Sequence, residues 1–244
     1  MIPLHGASEH AGKTLHWIPP DTEQQYKQHL KNSDSRRLLE QFGWIDQSID
    51  YQFNSHGFRT IEFDQRPNFL AIGCSFTQGT GVHEHQRWTT LLSEQMDLWC
   101  WNLGIAGASS DTCYRIARYY VSLLKPKFVV FLEPRPNRIE LHGEPDEPPY
   151  LINWTYDSVN WSGQYVKVML ANQENLDIRA EKNRAAIGYV CAEQHVPVFM
   201  YEPDAYLTKV DHKQRDLGRD LLHPGTMNNR AFADFLYKDI TTKL

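Results

Sequence analysis

The chain has few cysteines, and their spacing argues against proteins that are stabilised by disulfide bonds or by a zinc ion. Its 244 residues include four cysteines, and no two of them follow a Cys-x-x-Cys spacing. A disulfide framework and a zinc ribbon are therefore not expected, because both depend on paired or closely spaced cysteines. We expect reduced thiols at the four positions, which are Cys74, Cys100, Cys113 and Cys191.

Basic clusters and long apolar runs are also scarce. Lysine and arginine number 25 against 30 aspartates and glutamates, so the formal net charge is −5, and no basic run occurs. A nucleic-acid partner is not expected, because it would require a basic patch. No stretch approaches the roughly 18 apolar residues of a membrane span. The opening segment MIPLHGASEHAGK lacks the basic and then apolar order of a secretion signal, so we expect neither a membrane partner nor secretion.

The sequence does contain an alternation of strand and helix signals after Pro67. The composition supports a folded core, since 41% of the residues are hydrophobic and 12% are aromatic. Short apolar runs alternate with helical stretches, which predicts an α/β fold, a three-layer α/β/α sandwich around a mostly parallel central sheet. The expected strands are Phe69–Ile72, Leu98–Leu103, Phe128–Leu132 and Val196–Tyr201, and the expected later helices are Asn172–Gln194 and one from Thr226 to the C-terminus.

The first part of the chain has a different pattern. Residues 1–66 are predicted to form an N-terminal extension of helices and a hairpin, packed on a main domain of residues 67–244. The hairpin would pair Ile49–Phe53 with Thr60–Phe63 about the turn-like segment 54–57, because both runs alternate apolar and polar residues.

Polar residues in the turns after the predicted strands are the candidate functional residues. Ligands bind beyond the carboxyl ends of parallel strands, which makes these turns the place for chemistry. In Gly73-Cys74-Ser75-Phe76-Thr77-Gln78-Gly79, the flanking glycines allow Ser75 to occupy a tight strand-to-helix turn with backbone N–H groups nearby. Ser75 is therefore a candidate nucleophile. In Asn102-Leu103-Gly104, Gly104 has no side chain to obstruct an N–H donor to an oxyanion.

A second candidate set lies just before the last helix. In Asp220-Leu221-Leu222-His223-Pro224, the aspartate precedes the histidine by three residues. A carboxylate at this spacing can fold back onto the imidazole, fix its tautomer and leave its other nitrogen facing a serine. Asp220 and His223 are therefore candidates for the acid and base of a catalytic triad.

Together, these three motifs resemble those of the SGNH, or GDSL-like, hydrolase superfamily over about residues 51 to 240. The resemblance implies that Ser75 is the nucleophile, with Cys74 in place of the usual aspartate, and that Asp220 and His223 are the acid and base. It also implies that Ser75 and Gly104 N–H groups form the oxyanion hole. No metal and no organic cofactor is implied. The lead-in Asn54-Ser55-His56-Gly57-Phe58-Arg59 is similar to the Asn-x-x-Gly-Phe-Arg segment of many bacterial and phage members.

The third motif of that superfamily departs from its usual form here. An asparagine that completes the oxyanion hole normally follows the third core strand within Gly-x-Asn-Asp. This chain instead has Leu132-Glu133-Pro134-Arg135-Pro136-Asn137-Arg138. The third donor could be Asn137, or a guanidinium of Arg135 or Arg138, or the hole could have two backbone donors only. Arg135 or Arg138 could equally bind an acidic group of the substrate. The remaining alternative for both arginines is pairing with Glu133 or Glu140 on a solvated loop.

The sequence also indicates a class of substrate and a location. Trp154 and Trp161 lie in the segment before the long helix, where aromatic rings could stack on sugars. We therefore expect a small-molecule or carbohydrate ester substrate, with carbohydrate O-acetyl ester hydrolysis as the first hypothesis. The alternatives are a lipase-like or thioesterase-like esterase, an acyltransferase, and a noncatalytic carbohydrate-binding or structural protein on the same fold. The expected location is cytoplasmic or virion-associated.

Overall fold

The computed structural model describes residue 5 and residues 7–142, 149–153, 172–202, 205–208 and 215–244. Its helices and strands follow in chain order. The helices are α1 Glu23–Lys31, α2 Ser33–Gln41, α3 Ser75–Gln78, α4 Trp88–Met96, α5 Ser110–Leu124, α6 Gln173–Glu193, α7 Ala205–Thr208 and α8 Thr226–Thr241. The strands are β1 Thr14–Leu15, β2 Tyr51–Gln52, β3 Asn68–Gly73, β4 Trp99–Gly104, β5 Val129–Leu132, β6 Arg138–Leu141, β7 Tyr150–Asn153 and β8 Val198–Tyr201.

A four-stranded parallel sheet forms the centre of the molecule, in the order β4-β3-β5-β8. Its strands are rich in apolar residues because both faces of the sheet are covered. Along β3, Leu70 and Ile72 belong to the apolar cluster on one face, and Phe69 and Ala71 belong to the cluster on the other. The register pairs Gly73 with Gly104, so the ends of β3 and β4 lie side by side.

Helices cover both faces of this sheet. Helices α5 and α6 contribute to the cluster that contains Leu70, and α4 and α8 contribute to the cluster that contains Phe69. In α5 the buried residues Ile116, Tyr120 and Leu124 recur every four positions and give the helix one apolar face. The predicted three-layer α/β/α sandwich with a parallel central sheet is confirmed.

The predicted hairpin of the N-terminal extension is wrong. Strand β2 pairs antiparallel with β1 rather than with residues 60–63, which form no strand. Two local contacts explain this difference. The Asn54 side-chain oxygen accepts hydrogen bonds from the Phe58 and His56 N–H groups, each at 3.0 Å, and folds the chain into a closed turn. The edge of β2 is taken by the earlier segment, since Phe53 N–H donates to the Lys13 carbonyl at 2.9 Å.

The N-terminal extension and the sheet share one apolar cluster. Leu39, Ile49 and Phe58 are buried in the same cluster as Leu70 and Trp101 of the sheet. The sequence pattern did not indicate the short antiparallel pair β6–β7, which follows β5. In the part of the chain that the structure describes, no helix combines the length and apolar character that crossing a membrane requires.

Candidate active site

Ser75 lies at the tight turn between β3 and α3 and is the first residue of that helix. The Cys74 carbonyl accepts hydrogen bonds from the Thr77 and Gln78 N–H groups, each at 2.9 Å, which starts the helix directly after the strand. The helix ends after one turn at Gly79, whose φ of 79° is left-handed. This short element holds Ser75 at the carboxyl edge of the sheet, where only 3% of the residue is exposed.

Gly104 allows the two turns to approach closely. An ideal Cβ at Gly104 would lie 2.4 Å from the Gln78 nitrogen, which is too close for any side chain. The Gly104 N–H, however, donates to the Asn102 side-chain oxygen at 2.9 Å. The same Asn102 amide donates to the Thr77 carbonyl at 2.8 Å and ties β4 to α3. The geometry therefore corrects the assignment of Gly104 as an oxyanion donor, because its proton is already used within the turn, and gives it a steric role.

His223 and Asp220 meet Ser75 from the loop before α8. His223 Nε2 lies 2.7 Å from Ser75 Oγ, and His223 Nδ1 lies 2.5 Å from Asp220 Oδ2. The second carboxylate oxygen of Asp220 accepts the N–H groups of Leu222 at 3.1 Å and His223 at 3.0 Å. The three side chains that the sequence predicted as a set are thus brought into one hydrogen-bonded chain.

Hydrogen bonds and charge within this set of three side chains keep Asp220 ionised. Burial acts to raise the pKa of Asp220, but the hydrogen bond and charge of the His223 side chain and the backbone N–H groups of His223 and Leu222 outweigh it. The net effect lowers the pKa of Asp220 below its ordinary value. An ionised carboxylate accepts the Nδ1 proton, which leaves Nε2 with a lone pair to accept the hydroxyl proton of Ser75.

Two further contacts fix the imidazole and its loop. The Phe76 ring meets the His223 ring edge-on, with centroids 5.5 Å apart and an interplanar angle of 88°. Asp216, which sequence reasoning missed, caps α8 by accepting the Met227 N–H at 2.8 Å and the Asn228 N–H at 3.0 Å. Asp216 lies four residues before Asp220, in Asp216-Leu217-Gly218-Arg219-Asp220. Nothing in this short pattern by itself indicates a helix cap, and the folded loop shows the role of Asp216.

Arg59 is a second residue whose role sequence reasoning missed, although the Asn-x-x-Gly-Phe-Arg segment contains it. Its buried guanidinium donates to the carbonyls of Gly79, Val82 at 2.9 Å and Asp50 at 3.2 Å. The Tyr51 ring stacks on it at 4.2 Å. Burial lowers the pKa of Arg59 to about 9. These contacts anchor the chain that leaves α3, which begins with Ser75.

The candidates for the third oxyanion donor lie at or just before the start of β6. Arg135 is exposed and Asn137 is half-buried, in the loop between β5 and β6. One guanidinium nitrogen of Arg138 lies 3.5 Å from the Ala108 carbonyl, in the loop after β4. The identity of the third donor stays a prediction, with Asn137, Arg135 and Arg138 as its candidates.

The glutamates of this region have other described partners. Glu133 is bound by Arg184 at 2.6 Å, and Glu140 is bound by Arg115 at 2.5 Å. Burial raises the pKa of Glu133, and the Arg184 hydrogen bond and charge oppose that rise only in part. The described ion-pair partners of Glu133 and Glu140 are thus Arg184 and Arg115, and the alternative that pairs these glutamates with Arg135 or Arg138 stays a prediction.

Trp154 and Trp161 lie outside the described residues. The four cysteines are free and buried. No group of three or more histidine, cysteine, aspartate or glutamate side chains that could hold a metal ion is found among the residues for which the structure gives positions.

Comparison with known proteins gives structural matches only. No protein-family model and no curated protein sequence matches the chain. A member of the lipolytic protein G-D-S-L family from Veillonella parvula DSM 2008 is 12% identical, with 72% of this chain and 99% of that chain covered and a TM-score of 0.39. The psychrotrophic esterase EstA from Pseudoalteromonas sp. is 13% identical, with 74% and 98% covered and a TM-score of 0.40. A Clostridium thermocellum family 3 carbohydrate esterase is 13% identical, with 72% and 98% covered and a TM-score of 0.40.

Proposed function

We propose that this chain is a serine hydrolase of SGNH type that cleaves carboxylic esters. The observation that carries the proposal is the continuous hydrogen-bonded chain from Ser75 Oγ through the His223 imidazole to the Asp220 carboxylate. Each of these three residues is less than 10% exposed, so their hydrogen bonds lie away from bulk water. A serine, an oriented histidine and a buried carboxylate in this order are the elements of an activated nucleophile.

The proposed reaction has two steps. His223 Nε2 takes the Ser75 hydroxyl proton while Ser75 Oγ attacks the ester carbonyl, and the imidazolium then gives that proton to the departing alkoxide. The bond to the alcohol breaks and an acyl-enzyme remains on Ser75. His223 next takes a proton from water, whose oxygen attacks the acyl carbonyl. The bond to Ser75 Oγ then breaks, the imidazolium returns the proton to Oγ, and the acid is released. Asp220 stabilises the imidazolium in both steps because its carboxylate faces Nδ1.

The oxyanion hole in this proposal uses two backbone N–H groups. Ser75 is the first residue of α3, so its N–H has no carbonyl partner within the helix. Gly107 takes the place predicted for Gly104: it lies in the loop after β4 and has a left-handed φ of 78°. Its N–H finds no acceptor among the residues with described positions. A third donor would come from the loop that contains Asn137.

The finer proposal concerns the ester. The sequence has no long apolar stretch that could line a tunnel for an acyl chain, which supports a short acyl group. The aromatic sequence about Trp154 and Trp161 supports a carbohydrate alcohol. We therefore propose O-acetylated carbohydrates as substrates. Acyl transfer to another alcohol would use the same acyl-enzyme.

Two measurements test this function. A fluorophosphonate probe should label the wild-type protein once, at Ser75, because only an activated serine reacts. Wild type should also hydrolyse p-nitrophenyl acetate faster than p-nitrophenyl octanoate. Ser75→Ala should abolish labelling and lower kcat by several orders of magnitude. Ser48→Ala, at an exposed serine, is the matched control and should match wild type.

An unlabelled wild-type protein with no esterase activity would contradict the proposal and favour the noncatalytic alternative. Equal rates for Ser75→Ala and wild type would contradict the assignment of the nucleophile. Faster hydrolysis of p-nitrophenyl octanoate than of p-nitrophenyl acetate would be compatible with the hydrolase proposal but would overturn the proposal of a short acyl group.

A further inference from the structure

The residue immediately before the catalytic acid is held by the N-terminal extension. The Arg219 guanidinium donates to both Asp21 carboxylate oxygens, with Nε–Oδ1 at 3.1 Å and Nη2–Oδ2 at 2.7 Å. Its remaining hydrogen bonds reach the His16 carbonyl at 2.8 Å and the Gln47 carbonyl at 3.1 Å. The Trp17 ring stacks on the guanidinium at 3.8 Å. Every one of these contacts comes from residues 16–47, far from the catalytic loop in sequence.

The ion pair is completely enclosed. The Arg219 and Asp21 side chains are 0% and 1% exposed. Buried ion pairs recover little net stability over an apolar pair, but they fix the relative positions of the groups that they join. Asp21 supplies the counter-charge to Arg219, so the enclosed pair carries no net charge beside Asp220. The structural link from the pair to Asp220 is therefore one of position.

A second route connects the same pair to the catalytic carboxylate. Tyr51 Oη donates to Asp21 Oδ2 at 2.5 Å and accepts the Gly81 N–H at 3.0 Å. The Gly81 carbonyl in turn accepts the Arg219 N–H at 2.8 Å. Gly81 lies against Asp220, because an ideal Cβ there would be 2.9 Å from Asp220 Oδ1. Asp21, Tyr51, Gly81 and Arg219 thus form a closed ring of hydrogen bonds beside the catalytic acid.

We propose that Asp21, Tyr51 and Arg219 are positioning residues, through which the N-terminal extension sets the placement of Asp220 and so of the His223 imidazole. The inference rests on the proposed function of Asp220 and His223. None of the three residues touches Ser75, so their effect on the reaction passes through Asp220. Loosening the ring should slow the chemical step and leave ground-state binding of the ester unchanged.

Tyr51→Phe and Arg219→Lys test this inference. The first change removes one hydroxyl and keeps the ring that stacks on Arg59, and the second keeps the charge but loses the two-point contact with Asp21. In each variant we expect kcat to fall about ten- to hundredfold with KM unchanged, since small misplacements of a catalytic group have effects of this size. Titration with the fluorophosphonate probe counts competent sites, so kcat is expressed per active molecule.

Matched controls make the same chemical changes elsewhere. Tyr237→Phe alters a partly exposed tyrosine of α8, and Arg36→Lys alters the exposed Arg36–Glu40 pair of α2. Both controls should keep wild-type kcat and KM. A loss of activity in the controls equal to that in the test variants would contradict a role specific to the ring.

A readout without catalysis separates this inference from the proposed function. The His223 Nδ1 proton shared with Asp220 should give a far-downfield NMR resonance, identified by its loss in His223→Gln. This resonance should move upfield in Tyr51→Phe and Arg219→Lys and stay in place in both controls. If wild type is inactive but the resonance moves, positioning stands and the hydrolase proposal fails. If wild type is active and the resonance is unchanged in both test variants, the positioning inference is overturned, whatever happens to kcat.

Discussion

At the scale of single residues, the site is a division of roles set by local environment. Ser75, His223 and Asp220 are all buried, and the pKa of Asp220 is lowered because its carboxylate accepts hydrogen bonds from one imidazole and two backbone N–H groups. Glu133 accepts hydrogen bonds from Arg184, but burial outweighs them and raises the pKa of Glu133. The balance between desolvation and donated hydrogen bonds therefore decides the direction in which the pKa of each buried carboxyl group moves.

Asp220→Asn should separate the acid from the other two members of the triad. We expect it to lower kcat, but less than His223→Ala or Ser75→Ala does, because the amide keeps the loop geometry and loses the charge opposite the imidazolium. Steady-state kinetics with p-nitrophenyl acetate measure this order. Greater residual activity in His223→Ala than in Asp220→Asn would contradict the assigned roles.

The stability contributed by the Asp220 charge should depend on pH in one direction. A carboxyl group whose pKa is lower in the folded state than in the unfolded state stabilises the fold above its unfolded value, about 3.9. That contribution is lost as the pH falls through the folded-state value. Urea unfolding should therefore show that Asp220→Asn differs most from wild type near neutral pH and converges on it in strong acid. A difference that grows on acidification would contradict the lowered pKa.

The third oxyanion donor can be identified by single substitutions. Removal of one preorganised donor typically costs about 2.7 to 4 kcal/mol of transition-state stabilisation, or roughly a hundred- to thousandfold in kcat. Asn137→Ala should show this loss with little change in KM if its amide serves the hole. Arg135→Ala or Arg138→Ala should show it instead if a guanidinium does. If all three are silent, the hole consists of the two backbone donors and the loop has no part in it.

At the scale of elements, short turns do more than the long helices to build the site. Helix α3 spans a single turn, and its start at Ser75 depends on the close approach of β4 at Gly104. The loop before α8 is held by Asp216 at one end and by Gly81 on its flank. The long helices supply the apolar faces that cover the sheet, and the turns set the geometry of the reactive groups.

Gly81→Ala should damage the site through one added methyl group. The φ of Gly81 is 80°, and the new Cβ would lie 2.9 Å from Asp220 Oδ1. Gly43→Ala is the matched control, because Gly43 has a φ of 76° but nothing within 4 Å of its Cβ position. Both variants should lose about 1 to 2 kcal/mol of stability from left-handed strain. Only Gly81→Ala should also lower kcat; equal activity in the two variants would show that Asp220 tolerates the displacement.

At the scale of the whole molecule, the N-terminal extension is joined to the catalytic loop by the Asp21–Arg219 pair, across 198 positions in sequence. The Trp44 indole adds a second connection by donating to the Leu217 carbonyl at 2.7 Å. The extension also shares an apolar cluster with the sheet. These contacts make it part of the structure that supports the site rather than an addition to the surface.

Asp21→Asn should therefore destabilise the protein strongly. The change leaves the buried Arg219 charge without its counterion, and loss of one partner from a buried pair typically costs about 3 to 5 kcal/mol. Glu40→Gln in the exposed Arg36–Glu40 pair should cost no more than about 1 kcal/mol. Urea unfolding of both variants measures the difference. Equal, small losses would show that water reaches Arg219 in the variant and that the pair is not tightly enclosed.

Much of the fold and the candidate triad could be predicted from the sequence because the signals are local. The apolar runs of β3 and β5 and the helical spacing of α5 depend only on which faces must be buried. Asp220 and His223 are three residues apart, so a single loop suffices to pair them. Ser75 was recognised from one turn between a strand and a helix.

The tertiary structure alone decided two kinds of contact. The first kind joins distant segments, and the second kind involves a group or strand edge that has more than one potential partner. Ser75 and His223 are 148 positions apart, and their turns meet because β3 and α8 pack into the same apolar cluster. The Gly104 N–H goes to Asn102 rather than to an oxyanion, and β2 pairs with β1 rather than with residues 60–63. The sequence determined which segments could be strands, helices and reactive turns, since each needs only its neighbours. Which partner satisfies a given backbone group or a buried charge such as Arg219 was decided by the fold, because every such group takes the nearest well-oriented partner in space.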